Sequence, residues 1–548
     1  MSVKSALLAG SALAALLTAF PAFAQTLEDR VRALEQSLGI PPAATQNRSL
    51  EDRVQALEDA VRQKNAQEQE QAERLSKVEM QLQQKEEDEQ ARATRLSTLE
   101  QQVADTTWTF DNLRPTVQSA DGRFTMSIRG RFQFDSAFFD QSSNINASNA
   151  QFKDLASGSI MRRAYIGIEG RAFRDFWYEY RMDFGGSNQE GTNPVVNLAR
   201  ISWNLGNVAY PAERHFRINA GLIQPIMTYD DSVSSASLTF LERAAPVNVA
   251  TSAYGGLEPR RGVELTFQQS DLFHAGDNLV VSGAFTGQMA TAPNGSPDNI
   301  ADEGTQILGR IAYRVWSDGF SNVQVGATGS HILNLTGTTV PGAARTITLQ
   351  DRPEIRIDGN RLVSTGPINA TGGNLWGVEF ASNIRNFYLT SEYLHYGIDR
   401  ATSCTNCIAA ADPSFHGWYV QGSWIITGET KTYQPNATNN EMATFNNPRI
   451  ITPFSWEGRT WGAWELAARY SDLDLNWKEG SGGSACTVVG CIRGGEQKIW
   501  TFALNWYLNN VVRMLFDYQL VDVDKLNASG QQIGQNFNVM SVRLQFSN

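Results

Sequence analysis

The chain is 548 residues long, 19% of them charged, with a formal net charge of −11 and a mean hydropathy of −0.33. Beyond the N-terminus no run reaches the ~18 apolar residues of a membrane-crossing helix, which excludes a helical membrane protein, and the acidic balance gives no reason to expect a nucleic-acid partner. Strands that alternate apolar and polar residues escape a hydropathy average, so the chain has to be read segment by segment.

Residues 1–24 carry Lys4, an apolar run from Ala6 to Phe20 and the small-x-small triplet Ala22-Phe23-Ala24. This is the pattern of a secretory signal peptide cleaved before Gln25, with an uncleaved anchor as the alternative. Residues 25–105 hold almost no aromatic residue, and their apolar positions follow a heptad: Leu27, Val31, Leu34, Leu38, then Leu50, Val54, Leu57, Val61. LEDRVRALE at 27–35 returns as LEDRVQALE at 50–58, and Pro41-Pro42 between the copies breaks the helix. The register continues through Leu75, Val78, Leu82, Leu96, Leu99 and Val103. A coiled-coil arm that self-associates as dimer or trimer is expected, against the alternative of a solvated charged linker.

After a linker at 106–121 the period changes to two. Phe124, Met126, Ile128, Gly130, Phe132 and Phe134 alternate with Thr125, Ser127, Arg129, Arg131, Gln133 and Asp135. The alternation recurs to the end of the chain, giving sixteen expected strands at 122–139, 162–171, 175–184, 195–205, 216–223, 261–268, 279–285, 305–315, 322–332, 375–382, 387–396, 415–425, 461–473, 498–506, 511–521 and 537–546. Segments of ~10 residues with this pattern read as an all-β transmembrane barrel of antiparallel strands over 122–548, lipid outside and water inside. Short connections (171–174, 317–319, 507–510) alternate with long polar ones (140–159, 224–260, 333–374, 397–414, 474–497). The connection at 427–460 is long on the short-turn side, so either it hides a hairpin or it folds into the lumen.

Alternation places Arg129, Arg131, Arg163, Glu169, Arg181, Asp183, Glu465, Arg469, Arg513, Asp517 and Arg543 inside, as candidates to line a charged aqueous pore. The plain alternative is that such charges pair across strands. The long connection at 224–260 has a small, apolar middle, SVSSASLTFLERAAP at 232–246, too apolar to wave in water. It is expected to fold into the barrel and bring Asp230, Asp231, Glu242 and Arg243 to a constriction; an external lid or a subunit contact is the other reading. Cys404 and Cys407, and Cys486 and Cys491, sit in long connections and are expected to form disulfides, as export allows. Zinc is the alternative, although no histidine signature flanks them, so neither a metal nor another cofactor is expected.

The motifs GRFQFD (130–135), RRAYIGIEG (162–170), YEYRMDF (178–184), TFLERAAP (239–246), DRPEIRIDGNRLVSTG (351–366), GSWIITGET (422–430), GAWELAARYSDLDL (462–475) and NWYLNNVVRMLFDY (505–518) follow in an order that resembles the phosphate-selective porins O and P of Gram-negative outer membranes. The resemblance implies a sixteen-stranded, trimeric outer-membrane porin through which small anions, among them phosphate or polyphosphate, diffuse passively. Its partners would be outer-membrane lipid, two further copies, and the cell wall through a periplasmic arm. A non-selective diffusion porin and a structural envelope tether are the competing functions. A barrel hydrolase would need a serine–histidine pair on the outer surface, and none of His215, His274, His331, His395 and His416 stands beside a nucleophile motif.

Overall fold

The computed structural model describes residues 26–41, 48–104, 107–111, 114–141, 153–173, 175–186, 195–205, 214–256, 259–289, 303–336, 344–404, 407–435 and 441–548. The signal-peptide expectation at 1–24 lies outside the described residues. Two compact units result, 1–104 and 105–548.

In the first unit, helix α1 (Leu27–Ser37) ends where Gly39 takes a left-handed φ of 74°, ahead of Pro41. Helix α2 (Leu50–Ala104) then runs for 55 residues. The two repeat copies pack on each other: Val31 and Leu57 are buried, and Arg53 grips Glu35 through bonds of 2.9 and 2.6 Å. Further along α2 the seam positions Leu75, Val78, Leu82 and Leu96 are 52–62% exposed, so among the described residues nothing covers them.

The second unit is a closed barrel of sixteen antiparallel strands: β1 (Thr125–Gln141), β2 (Gly158–Ala172), β3 (Phe176–Asp183), β4 (Val195–Asn204), β5 (Arg214–Ile223), β6 (Arg260–Ser270), β7 (Asn278–Met289), β8 (Thr305–Ser317), β9 (Asn322–Asn334), β10 (Ile368–Ile384), β11 (Phe387–Arg400), β12 (Ser414–Ile425), β13 (Ala463–Trp477), β14 (Ile492–Tyr507), β15 (Val512–Asp524) and β16 (Asn536–Ser547). The last strand pairs with the first, from Phe537↔Gln141 to Ser547↔Arg131, which leaves no open barrel edge. Each expected strand falls on an observed one. The outward faces carry the large apolar residues, for example Phe132, Phe134 and Phe138 on β1, while their odd-numbered neighbours are buried inside.

Two features depart from the expectation and a third settles what the sequence left open. The linker at 106–121 contains a hairpin, Thr107–Asp111 with Arg114–Gln118, whose second strand adds to the foot of β1 through Thr116↔Ser127 and Gln118↔Thr125. Five-residue strands interrupted by Pro115 are too short for period two to register, and the uncovered start of β1 offers them backbone partners. The long connection on the short-turn side does both things left open: it forms a hairpin, Lys431–Gln434 with Thr444–Pro448, and it lies inside, with Lys431, Met442, Ala443 and Phe445 buried.

The largest departure is in the lumen, which is not aqueous throughout. Between the long-connection ends of the strands, Met227, Leu241, Val247 and Tyr254 of one inserted loop pack with Leu349, Ile355 and Val363 of another and with Tyr396, Phe415, Leu473, Ile499, Leu515 and Val539 of the wall. The inward face of β15 shows the cause, running Arg513, Leu515, Asp517, Gln519, Val521, Val523 from polar to apolar along one strand. Both cysteine pairs are joined, Cys404 to Cys407 and Cys486 to Cys491, with Cα atoms 5.1 and 6.4 Å apart, at this same long-connection end.

Candidate functional site

The candidate constriction is built around the loop that follows Ile223, whose residues are buried inside the barrel. It enters the barrel through a short helix α3 (Tyr229–Ser232), crosses through turns and bends, one of them closed by Ser237 on the Ser234 carbonyl, and returns through helix α4 (Ala245–Tyr254), which Pro246 helps to start. Its middle makes no regular structure, so its peptide groups need side-chain partners to be buried. The wall supplies them: Gln133 donates to the carbonyl of Ser235 (2.8 Å), Gln545 to Ala236 (2.9 Å), Arg513 to Leu238 (2.8 Å), Asn505 to Thr239 (2.8 Å) and Arg469 to Glu242 (3.0 Å). Asp517 accepts from the amide of Leu241 at 2.8 Å.

Glu242 is the electrostatic anchor. Its Oε1 receives Arg162 at 2.7 Å and Arg543 at 2.9 Å, with Arg163 at 3.8 Å, and its Oε2 faces Arg356 at 3.9 Å. Burial pushes the Glu242 carboxyl up, but Arg162, Arg163 and Arg543 outweigh it and hold the group well below the usual carboxylate range. Arg543 also makes a bidentate pair with Asp135 at 2.6 and 2.7 Å. Two further ties fasten the inserted segments. Glu354 of the second loop takes Arg469, the Ser471 hydroxyl (2.6 Å) and the Ala245 amide (2.8 Å), and Lys431 of the inner hairpin pairs with Glu465 at 3.0 Å.

The expected site residues therefore separate into two groups. Glu465, Arg469, Asp517 and Arg543 face inward as alternation requires, but they brace inserted loops instead of lining a cavity, and Arg513 does both, bonding the Leu238 carbonyl and bordering the wider cavity at the short-turn end. Asp183 closes a strand end, its Oδ1 accepting from the amides of Ala164 (3.1 Å) and Gly185 (2.9 Å). Arg243 is a staple within the loop, donating to the carbonyls of Asp230 (2.8 Å) and Val233 (2.6 Å). Asp230 is buried beside it, and that burial raises its carboxyl above the ordinary value.

Arg129, Arg131, Arg163, Arg181 and Asp231 come together around a 60 Å³ cavity between the loop and the wall of β1–β4, closed by Ser232, Ser234 and Ser235. Glu169 stands next to it, 2.8 Å from Arg129. Arg131 donates to hydroxyls, Ser235 at 2.6 Å, Ser234 at 3.1 Å and Ser547 at 3.3 Å. Arg181 reaches the carboxamides of Asn197 (2.8 Å) and Gln224 (2.9 Å) and lies over the Tyr165 ring. Toward the short-turn end lies a 510 Å³ cavity that shares Arg129, Arg131, Ser234 and Glu441 with it.

Sequence reasoning missed several members. Arg162 points inward although its neighbour Arg163 also does, because a bulge opposite Gln133 and Phe134 inserts it as an extra residue. Arg200, 3.0 Å from Glu179, was readable from the alternation of β4 with Ser202. The Arg310–Glu379 pair, at 2.7 and 2.8 Å, was equally readable on β8 and β10. Glu354 had no periodic signal at all.

Comparison with known proteins places this geometry. A family model described as phosphate-selective porin O and P matches residues 126–547. Porin O of Pseudomonas aeruginosa is 23% identical over 437 residues, 77% of this chain and 88% of the relative. Among solved structures, in-vitro folded OmpT, an outer membrane protein of Vibrio cholerae, aligns over 78% of this chain and 98% of its own at 9% identity and a TM-score of 0.41. The anion-selective porin from Comamonas acidovorans aligns over 78% and 100% at 10% identity and a TM-score of 0.39. With a family match that reaches from β1 to β16, the chain belongs to the phosphate-selective porin O and P family.

Proposed function

We propose that the barrel is an outer-membrane channel for passive diffusion of small anions, inorganic phosphate among them, and that the passage beside β1–β4 is its selective section. The observation that carries this reading is the charge of the 60 Å³ cavity: five arginines (129, 131, 163, 181, 200) against three carboxylates (Glu179, Asp231, Glu441), 5 − 3 = +2. A permeating ion responds to charges within about a Debye length, ~8 Å in physiological salt, so this local excess outweighs the negative sum over the chain. Guanidinium groups stay charged at every working pH, and rings of arginine favour anions. Reversal potentials across a KCl gradient test the proposal: the sign should show chloride crossing more readily than potassium, and a potassium-preferring sign would overturn it.

The same reading makes the protein a homotrimer with its arm in the periplasm. The support is the uncovered apolar seam of α2, which buries nothing unless another helix meets it. Deleting residues 27–104 should lower the temperature at which trimers dissociate on unheated-to-heated gels while single-channel conductance stays unchanged. Equal dissociation temperatures would remove the arm from assembly.

A further inference from the structure

We propose that the tip of the arm assembles by repeating, between chains, the contact that its two sequence repeats make within one chain, so that residues 27–58 dock on the same segment of a second copy. The proposal rests on the homotrimer reading above and adds to it the surface, the residue pairing and the way the assembly closes.

The repeats at 27–35 and 50–58 differ at one position, Arg32 against Gln55, yet they bury different residues. The first repeat buries Val31 and Glu35; the second buries Arg53 and Leu57. Each repeat therefore carries two faces, one of valine and glutamate and one of arginine and leucine, and the chain sets the first kind on repeat one against the second kind on repeat two. The Arg53 guanidinium fastens this contact to the Glu35 carboxylate through bonds of 2.9 and 2.6 Å.

The other face of each repeat is uncovered. On repeat one it consists of Arg30 and Leu34, and on repeat two of Val54 and Glu58; the leucine is 44% and the valine 38% exposed. Among the described residues neither the Arg30 guanidinium nor the Glu58 carboxylate has an ion-pair partner. These faces match, residue for residue, the two that already fit each other: Arg30 stands for Arg53, Leu34 for Leu57, Val54 for Val31 and Glu58 for Glu35. A 610 Å³ groove beside Val54 and Glu58, walled also by Leu27 and Leu50, offers the incoming Leu34 apolar surface to cover. Charged residues flanking an apolar helix seam set partner choice, and here they select a second copy, with Arg30 of one chain on Glu58 of the next. A contact between two unlike faces is head-to-tail, and repeated about a rotation axis it closes a ring. In a homotrimer the repeats of the first and second kind then alternate around the ring, joined in turn by a contact within a chain and a contact between chains.

The test uses the full chain, whose four natural cysteines are paired, and a short bismaleimide in mild detergent. The Arg30→Cys, Glu58→Cys double variant should be joined into covalent dimers and trimers on denaturing gels. The Arg53→Cys, Glu35→Cys double variant should be joined within one chain and run as a monomer, and Arg30→Cys alone should give no product. Because the cysteines remove the charges, charge reversal supplies an independent readout. Arg30→Glu should reproduce part of the drop in trimer dissociation temperature that deletion of 27–104 causes, and adding Glu58→Arg should restore the parental value. Only monomeric product from Arg30→Cys, Glu58→Cys in a protein that is itself trimeric overturns the inference, as does a reversal that Glu58→Arg does not restore. A parent protein that is monomeric in mild detergent rejects the trimer reading beneath it.

Discussion

Replacing Glu242 with alanine should destabilise the barrel by about 3–5 kcal/mol, the cost of removing one partner from a buried ion cluster, and should raise single-channel conductance. The carboxylate sits among Arg162, Arg163, Arg356 and Arg543, of which Arg543 also holds Asp135 through two bonds and Arg356 also pairs with Asp351 at 3.4 Å. Deleting it leaves several guanidiniums facing one another in a dry site and frees the loop where it crosses the lumen. The neighbouring tethers at Leu241 and Ser235 are neutral or singly charged hydrogen bonds, each worth far less. The group's folded pKa lies below its unfolded value, so its contribution is complete above the ordinary carboxylate range and is lost only as pH falls through the depressed value. Thermal dissociation of the detergent-purified protein and bilayer conductance check the expectation. An alanine variant with parental stability and parental conductance would show that Glu242 does not hold the loop.

The second large effect is on selectivity. Converting Arg131, Arg163 and Arg181 together to glutamine should reverse the sign of the reversal potential, because the narrow cavity then carries 2 − 3 = −1. These three are the removable charges. Arg131 bonds hydroxyls, Arg163 bonds the Gln133 carboxamide and approaches Glu242 only to 3.8 Å, and Arg181 approaches Glu179 only to 3.7 Å. No close carboxylate is orphaned, so stability should change far less than in the Glu242 variant. The contrast with Arg543→Gln is informative: that residue bonds the carboxylates of Asp135 and Glu242 and the Leu241 carbonyl, so its loss should cost stability first. A triple variant that stays as chloride-preferring as the parent would place selectivity elsewhere.

Period two made the sixteen strands and their inward faces legible, because one buried face per strand forces the alternation. Composition, not period, marked the loop at 224–260 as one that enters the barrel, through an apolar middle that an exposed loop would not carry. What alternation could not say is what fills the inside. Arg469 and Arg131 carry the same sign on the same kind of face, yet one is spent on Glu354 and a loop carbonyl and the other borders the narrow cavity. That difference is made by residues hundreds of positions away, in loops without periodicity. The bulge at Arg162 is invisible for a related reason, since one inserted residue looks like ordinary sequence until its partner strand is known. The hairpin at 431–448 was visible only as an excess of length on the wrong side.

The most direct test of the central claim, that ions pass between the loop and the β1–β4 wall, is thiol block. All four natural cysteines are paired, so an introduced one is the sole target. Ser234 borders both the narrow cavity and the wider one, whereas Thr501 is fully buried in the wall. In the Ser234→Cys protein a negatively charged methanethiosulfonate should abolish most of the chloride current, and do so faster than its positively charged analogue; the Thr501→Cys protein should not respond. Full current through a modified Ser234→Cys channel, or block at Thr501→Cys alone, would contradict the account.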